Sequence, residues 1–363
     1  MSDTPAGTSE PRNIQQTDFD KITQLVLSEF QIEESLIDQG MPTYYLKWPQ
    51  ETKQGFLRLL NRLEEINMTA LLRKVEGRVA LRVSDKPSVK PSNPRTYWIL
   101  FIATIATTFA TGYFLLPPEA GLDPVVSGAI FSASIMTVLG LHEMGHKITA
   151  NKNKVEATSP YFVPGPPPLG TLGAVIVQKS LPPNRDALFD IGANGPIAGF
   201  VVALVFSAIG MTLSIPTTIS PDSQGLSLIP LSWIPLEEAL LRLNFLPLPV
   251  APNNGWFLHP IAWAGWAGMI VTMLNLLPAA MLDGGHVAKS IVPDRFRYIL
   301  TIVSVVTLVL VGSEFWIFAI IVVFMSTFKH PGPLDDVSGL SRRRKVIALC
   351  LIALFVLSFP TRG

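Results

Sequence analysis

The chain has 363 residues, a formal net charge of +1 at pH 7, 48% hydrophobic residues and only 15% charged ones. Soluble domains carry about 25% charged residues, so this composition excludes an ordinary soluble enzyme, and the near-zero net charge offers nothing for nucleic acid to bind. The single cysteine, Cys350, excludes a disulfide framework and a cysteine zinc site within the chain.

The charge deficit is uneven. Residues 1–95 carry ordinary charge, whereas many later segments run about 17 residues or more without any. This is the pattern of a polytopic α-helical membrane protein with a small soluble N-terminal domain. Residues 1–15 are polar and rich in Ser, Thr and Pro, and read as a disordered lead without the apolar core of a signal peptide.

A soluble α+β domain is expected over residues 16–85. Phe19, Ile22, Leu25, Val26 and Phe30 fall at near-helical spacing, and Tyr44 to Trp48 is β-like. Phe56, Leu59, Leu60, Leu63 and Ile66 make an amphipathic helix, and residues 70–83 read as a hairpin around Glu76-Gly77. The order is then helix, strand, helix, strand, strand. A structural cap or partner-binding surface is the reading for this domain, which has no histidine and no nucleotide-binding loop.

Residues 86–96 form a linker stiffened by Pro87, Pro91 and Pro94. A transmembrane domain follows over 97–363, its core about 124–290. About seven spans are expected: Tyr97 to Leu116, Pro124 to Ala150, Ala187 to Leu213, Leu258 to Met281, Arg297 to Val311, Phe315 to Phe328 and Val346 to Phe359. Gly192, Gly195 and Gly199 in the third span suit close helix packing in lipid. Leu236 to Phe245 could lie along the interface. With the N-terminus in the cytoplasm and sides alternating, inner segments hold sixteen Lys and Arg against two outside, Arg242 and Arg362. This positive-inside bias puts the inner ends of spans two and four at one cytoplasmic depth.

Span two ends in His142-Glu143-Met144-Gly145-His146, an H-E-x-x-H. Histidines four apart share one helix face and can both ligate one zinc, while Glu143 can act as a base on water. His and Glu are expensive at membrane depth unless they line a site. A catalytic zinc usually takes a third protein ligand. Asp190, Asp283, His286 and His330 are candidates. Asp283 is favoured, because Pro278 and Gly284-Gly285 should unwind the chain beside it. Asn275 fits a helix–helix hydrogen bond and a substrate contact equally. Gly170 to Val177, including Thr171 and Gly173, is the candidate strand edge on which a substrate helix would be held extended.

These residues resemble the site-2 protease family of intramembrane zinc metalloproteases. The match is carried by His142 to His146 and by Asn275-Leu276-Leu277-Pro278 through Asp283-Gly284-Gly285-His286. Gly170 to Ala174 and Asn194-Gly195-Pro196-Ile197-Ala198-Gly199 support it. The soluble N-terminal domain and the His330 to Arg344 tail look like the chloroplast and cyanobacterial-type branch. The resemblance implies Zn2+ held by His142, His146 and Asp283, Glu143 as catalytic base, and Asn275 positioning substrate or stabilising the oxyanion. It implies hydrolysis in or near transmembrane segments of membrane-protein substrates, within a lipid bilayer. The alternatives are a polytopic metal transporter, which would stage polar residues along its helices, and a proteolytically silent membrane adaptor acting through residues 16–85.

Overall fold

The computed structural model describes residues 16–88, 91–116, 121–218, 228–246, 254–328 and 330–362. The expected disordered lead, residues 1–15, lies outside them. The chain divides into two compact units.

The first unit contains α1 (Gln16–Leu27), β1 (Ile32–Asp38), β2 (Met41–Leu46), α2 (Lys53–Glu65), β3 (Met68–Val75) and β4 (Arg78–Asp85). The strands form one sheet in the order β1-β2-β4-β3, each neighbouring pair antiparallel. The helices bury one stripe each: Ile22 and Val26 from α1, and Phe56, Leu59 and Leu63 from α2, meet Tyr44, Leu46, Leu72, Leu81 and Val83 of the sheet. Burial raises the pKa of the Tyr44 phenol, whose oxygen is hydrogen-bonded to Thr23 at 3.0 Å.

β1 is an addition to the expected order of elements. Its sequence, Ile-Glu-Glu-Ser-Leu-Ile-Asp, buries no residue fully, as befits an acidic edge strand outside the apolar alternation. Both hairpins turn through residues at positive φ, Gln39-Gly40 and Glu76-Gly77, the geometry that matches strand twist.

Two remote segments, Leu181–Arg185 and Gly332–Gly339, complete this unit. Residues 334–336 run parallel to β3: Leu72 N–H donates to Leu334 O at 2.9 Å, and Asp336 N–H donates to Leu72 O at 3.2 Å. On their other side, Leu334 N–H and Asp335 N–H donate to Pro182 O and Pro183 O at 2.7 and 3.0 Å. Arg185 pairs with Asp336 at 3.0 Å, and Arg73 donates to Leu334 O at 2.7 Å. Burial lowers the pKa of Arg73, opposed by the nearby Asp336 and Asp335 carboxylates. The β3 edge is thus closed by chain more than 250 residues away in sequence, which no local pattern announces.

The second unit holds α3 (Pro94–Tyr113), α4 (Pro124–Lys152), α5 (Arg185–Thr212, from its second residue), α6 (Trp233–Arg242), α7 (Pro260–Leu276), α8 (Asp283–Ile291), α9 (Asp294–Val311), α10 (Trp316–Ser326) and α11 (Arg342–Ser358). Three small antiparallel pairs accompany them: β5 (Tyr161–Pro164) with β6 (Thr171–Val175), β7 (Ile215–Thr218) with β9 (Asn254–Phe257), and β8 (Leu228–Pro230) with β10 (Pro360–Arg362). Asp123 caps α4 by accepting from Val125 and Val126 N–H, with Pro124 at its first turn.

By length and composition, α4 and α5 are long and apolar enough to cross a membrane; α7 and residues 313–326 are apolar but shorter. α7 stops at Leu276, five residues before the expected end of the fourth span, because Pro278 cannot continue it. A new helix, α8, starts at Asp283.

The buried face of α2 sets the stability of the first unit. Leu59→Ala removes a fully buried side chain and should cost about 2–5 kcal/mol. Hydrogen exchange of β4 amides that open only with the whole unit should then accelerate about 30-fold or more.

Candidate metal centre

α4 brings His142 and His146 onto one face, both buried, one turn apart. The chain from Leu277 to Leu282 is folded tightly between α7 and α8, with Ala279 N–H donating to Leu277 O at 2.7 Å and Ala280 at a φ of 46°. This turn delivers Asp283 to the two histidines. His142 Nε2 and His146 Nε2 each lie 3.2 Å from Asp283 Oδ2, and 3.1 Å from each other. Glu143 is buried beside them, its Oε1 3.9 Å from His142 Nε2.

Gly284 and Gly285 act here through size. Neither sits at positive φ. A Cβ on Gly284 would lie 2.5 Å from Leu277 O, and one on Gly285 would lie 2.5 Å from Ala280 O. Only glycine lets α8 start against the turn that precedes it.

The glycines of α5 have a related role. They give the expected close helix packing, and the residues they approach are the donors themselves. A Cβ on Gly199 would lie 2.6 Å from His142 Nδ1, one on Gly192 would lie 2.9 Å from Asp283 O, and one on Gly195 would overlap the His146 ring. α5 also supplies the Ile191 carbonyl, to which His146 Nδ1–H donates at 2.6 Å. Asn194 Nδ2 donates to Thr149 Oγ1 at 2.8 Å, joining α5 to α4 one turn further on.

The donor chemistry fits a metal ion. With its Nδ1 proton committed to Ile191, neutral His146 presents a lone pair at Nε2, aimed at a carboxylate oxygen and at a second imidazole nitrogen. Three lone-pair atoms so close repel unless a cation or proton lies among them. Four-coordinate zinc, with ligands at about 2.0–2.1 Å, sets neighbouring ligand atoms about 3.3 Å apart, close to the separations found. Among the described residues, His142, His146 and Asp283 are the group of His, Cys, Asp or Glu side chains that could hold a metal ion.

The remaining candidates are placed elsewhere. Asp190 is held by Arg344, with Nε to Oδ1 at 2.7 Å and a second nitrogen to Oδ2 at 2.5 Å. His286 Nδ1 pairs with His330 Nε2 at 2.7 Å, so these two meet each other and not the donor triad. Asn275, near the end of α7, has Nδ2 3.3 Å from His142 Nε2. Gly170, at a φ of 72°, packs on α3: its carbonyl accepts from Thr107 Oγ1 at 2.7 Å, and a Cβ there would lie 2.6 Å from Thr111 Oγ1. Thr171 Oγ1 donates to Val163 O at 2.8 Å and accepts from Gly173 N–H at 3.0 Å, bracing the hairpin. Gly173, at a φ of 105°, has open space where a side chain would be. β6 pairs with β5 on one edge, and among the described residues no strand pairs with its other edge.

Sequence reasoning passed over the Ile191 carbonyl and Arg344. The first is a backbone atom, which carries no residue signature, and Arg344 was legible only as one of several inner-side cations.

The chain belongs to peptidase family M50, whose family model matches residues 130–311. It is similar to the Arabidopsis thaliana "Probable zinc metalloprotease EGY1, chloroplastic", 29% identical over 238 residues, covering 56% of this chain and 42% of that protein. The rice (Oryza sativa subsp. japonica) protein of the same description is 27% identical over 309 residues, covering 81% and 49%. The Arabidopsis "Probable zinc metalloprotease EGY2, chloroplastic" is 30% identical over 173 residues, covering 45% and 28%. The chain thus spans less than half the length of these relatives. No solved structure matches it.

The close approach of α5 yields a sharp expectation. Gly195→Ala should displace the His146 ring and lower the zinc bound per chain, read by elemental analysis of the purified protein. Gly339→Ala, which adds a carbon with no atom within 4 Å, should leave it unchanged.

Proposed function

We propose that this chain is an intramembrane zinc metalloprotease that hydrolyses peptide bonds in or near the transmembrane segments of other membrane proteins. The observation that carries the reading is the convergence of His142, His146 and Asp283, with Glu143 alongside, on a helix apolar and long enough to span a bilayer. Membership of a peptidase family and the zinc metalloprotease names of its relatives support the same chemistry. A metal transporter would need polar groups staged along a path, whereas these donors cluster at one point, two in one turn of α4 and the third at the start of α8.

The membrane setting is supported by the outer faces of the remaining helices. Ile299, Ile302, Val306 and Leu310 of α9, Ile317, Ile320 and Phe324 of α10, and Leu349 and Ile352 of α11 are exposed, a surface suited to lipid. We read about seven spans, with the N-terminus and the metal centre toward the cytoplasmic side, from the sixteen-to-two excess of inner cations. Residues 16–85 act as a soluble cap or partner surface.

His142 Nε2, His146 Nε2 and Asp283 Oδ2 would hold the zinc. When bound, zinc lowers the pKa of water toward 7 and polarises a carbonyl. The Glu143 carboxylate takes a proton from the attacking water and returns it to the amine nitrogen as the C–N bond breaks. Asn275 Nδ2, 3.3 Å from His142 Nε2, is placed to donate to the substrate carbonyl oxygen as charge develops on it. The carbonyls of a substrate helix are bonded internally, so the helix must unwind before cleavage. The open edge of β6, Thr171 to Val175, suits capture of the unwound segment as an added strand, with Gly170 and Thr171 shaping the hairpin and Gly173 leaving room at its surface.

With a single-span substrate in detergent, Glu143→Gln should lower cleavage by about 10²-fold or more while zinc stays bound. Asp283→Ala should lose zinc with the fold retained. Chelation should abolish wild-type activity, and added zinc should restore it. Undiminished cleavage by Glu143→Gln would remove Glu143 from the mechanism.

A further inference from the structure

We infer that Arg344, at the start of α11, is a positioning residue for the zinc ligand His146. The inference rests on the zinc reading above and concerns how that site is held. Arg344 grips α5 at two points one helical turn apart: its guanidinium lies 3.1 Å from Asp186 Oδ2, and it engages both oxygens of Asp190 at 2.7 and 2.5 Å. Asp186 also caps the beginning of α11 by accepting from Ser341 N–H at 2.9 Å, and Arg344 donates to Ser341 Oγ at 2.9 Å. The residue after Asp190 is Ile191, whose carbonyl accepts the His146 Nδ1 proton at 2.6 Å.

The order of contacts is therefore guanidinium, carboxylate, adjacent peptide carbonyl, imidazole. The planar fork of an arginine fixes a carboxylate in direction as well as distance, which a lysine cannot do. Without it, Asp186 and Asp190 are like charges at i and i+4, which repel and loosen the first turns of α5. The carbonyl that sets the His146 tautomer and ring angle moves with those turns. This coupling matters more at His146 than at His142, whose buried Nδ1 has no hydrogen-bond partner and whose ring is held instead by the close approach of Gly199. Partners of this kind typically govern metal affinity by about 10–100-fold.

The test measures zinc affinity of the full chain in detergent by competition with a chelator, together with the visible absorption spectrum of the cobalt-substituted protein. Arg344→Gln should weaken zinc by about 10–100-fold and alter the cobalt spectrum, with Arg344→Lys recovering only part of the loss. Leu351→Ala, in the same helix, trims the buried apolar cluster that also holds Phe189 of α5 without touching the polar contacts, and should leave zinc affinity within about twofold. Unchanged affinity in Arg344→Gln overturns the inference, and so does an equal loss in Leu351→Ala, which would reduce Arg344 to one more packing contact. If wild type itself binds no zinc, the zinc reading falls and this inference with it; if wild type binds and only the Arg344 result fails, the zinc reading stands.

Discussion

Three lone pairs with no room to separate are the constraint on which the second unit depends. His142 Nε2, His146 Nε2 and Asp283 Oδ2 sit within 3.2 Å of one another in a largely buried site, where water screens them little. Their proximity is tolerable only with positive charge among them, so the neighbouring backbone must hold the donors in place against their repulsion. α5 does this with carbonyls and bare Cα atoms, and the Leu277–Leu282 turn does it by seating α8 against its own entry. The polar groups of the site are few. The glycines around them are many, because close backbone approach is what keeps a charged cluster rigid in a low-dielectric setting.

Much of this was legible in the chain. H-E-x-x-H states its own geometry, since four residues are one helical turn, and the Asn275 to His286 segment marks an interruption in an apolar helix. The physical cause assigned to one feature was nevertheless different from the one found, and another was only half read. Gly284-Gly285 seemed to call for backbone freedom, but their φ values are ordinary and small size is what counts. Gly192, Gly195 and Gly199 read as residues for close helix packing, and they do bring α5 against α4 and α8; what the sequence did not state is that the residues so approached are the donors. A glycine in a sequence tells that a side chain is absent, not what occupies its place.

Other features could not be read at all. β1 buries no residue fully, so it lacks the alternation by which a strand declares itself. The Ile191 carbonyl is a main-chain group that every residue has. Arg344 and Asp190 are 154 residues apart, and no spacing rule connects them. Asp190 looked like a ligand because it is an acid near the right depth; its commitment to a guanidinium is a matter of tertiary neighbours.

The parallel pairing of residues 334–336 along β3 bears on how the protein can be divided. The polypeptide leaves the first unit after β4, returns to it at Leu181–Arg185, and returns again at Gly332–Gly339. A cut in the 86–96 linker would therefore not release a self-sufficient fragment. It would yield an N-terminal piece with a bare β3 edge, prone to pair with any extended chain it met, and a hydrophobic piece carrying two orphaned ribbons. Evolutionary loss or exchange of the first unit would require removing three separate segments instead of one, so this sheet is expected to travel through descent together with the second unit.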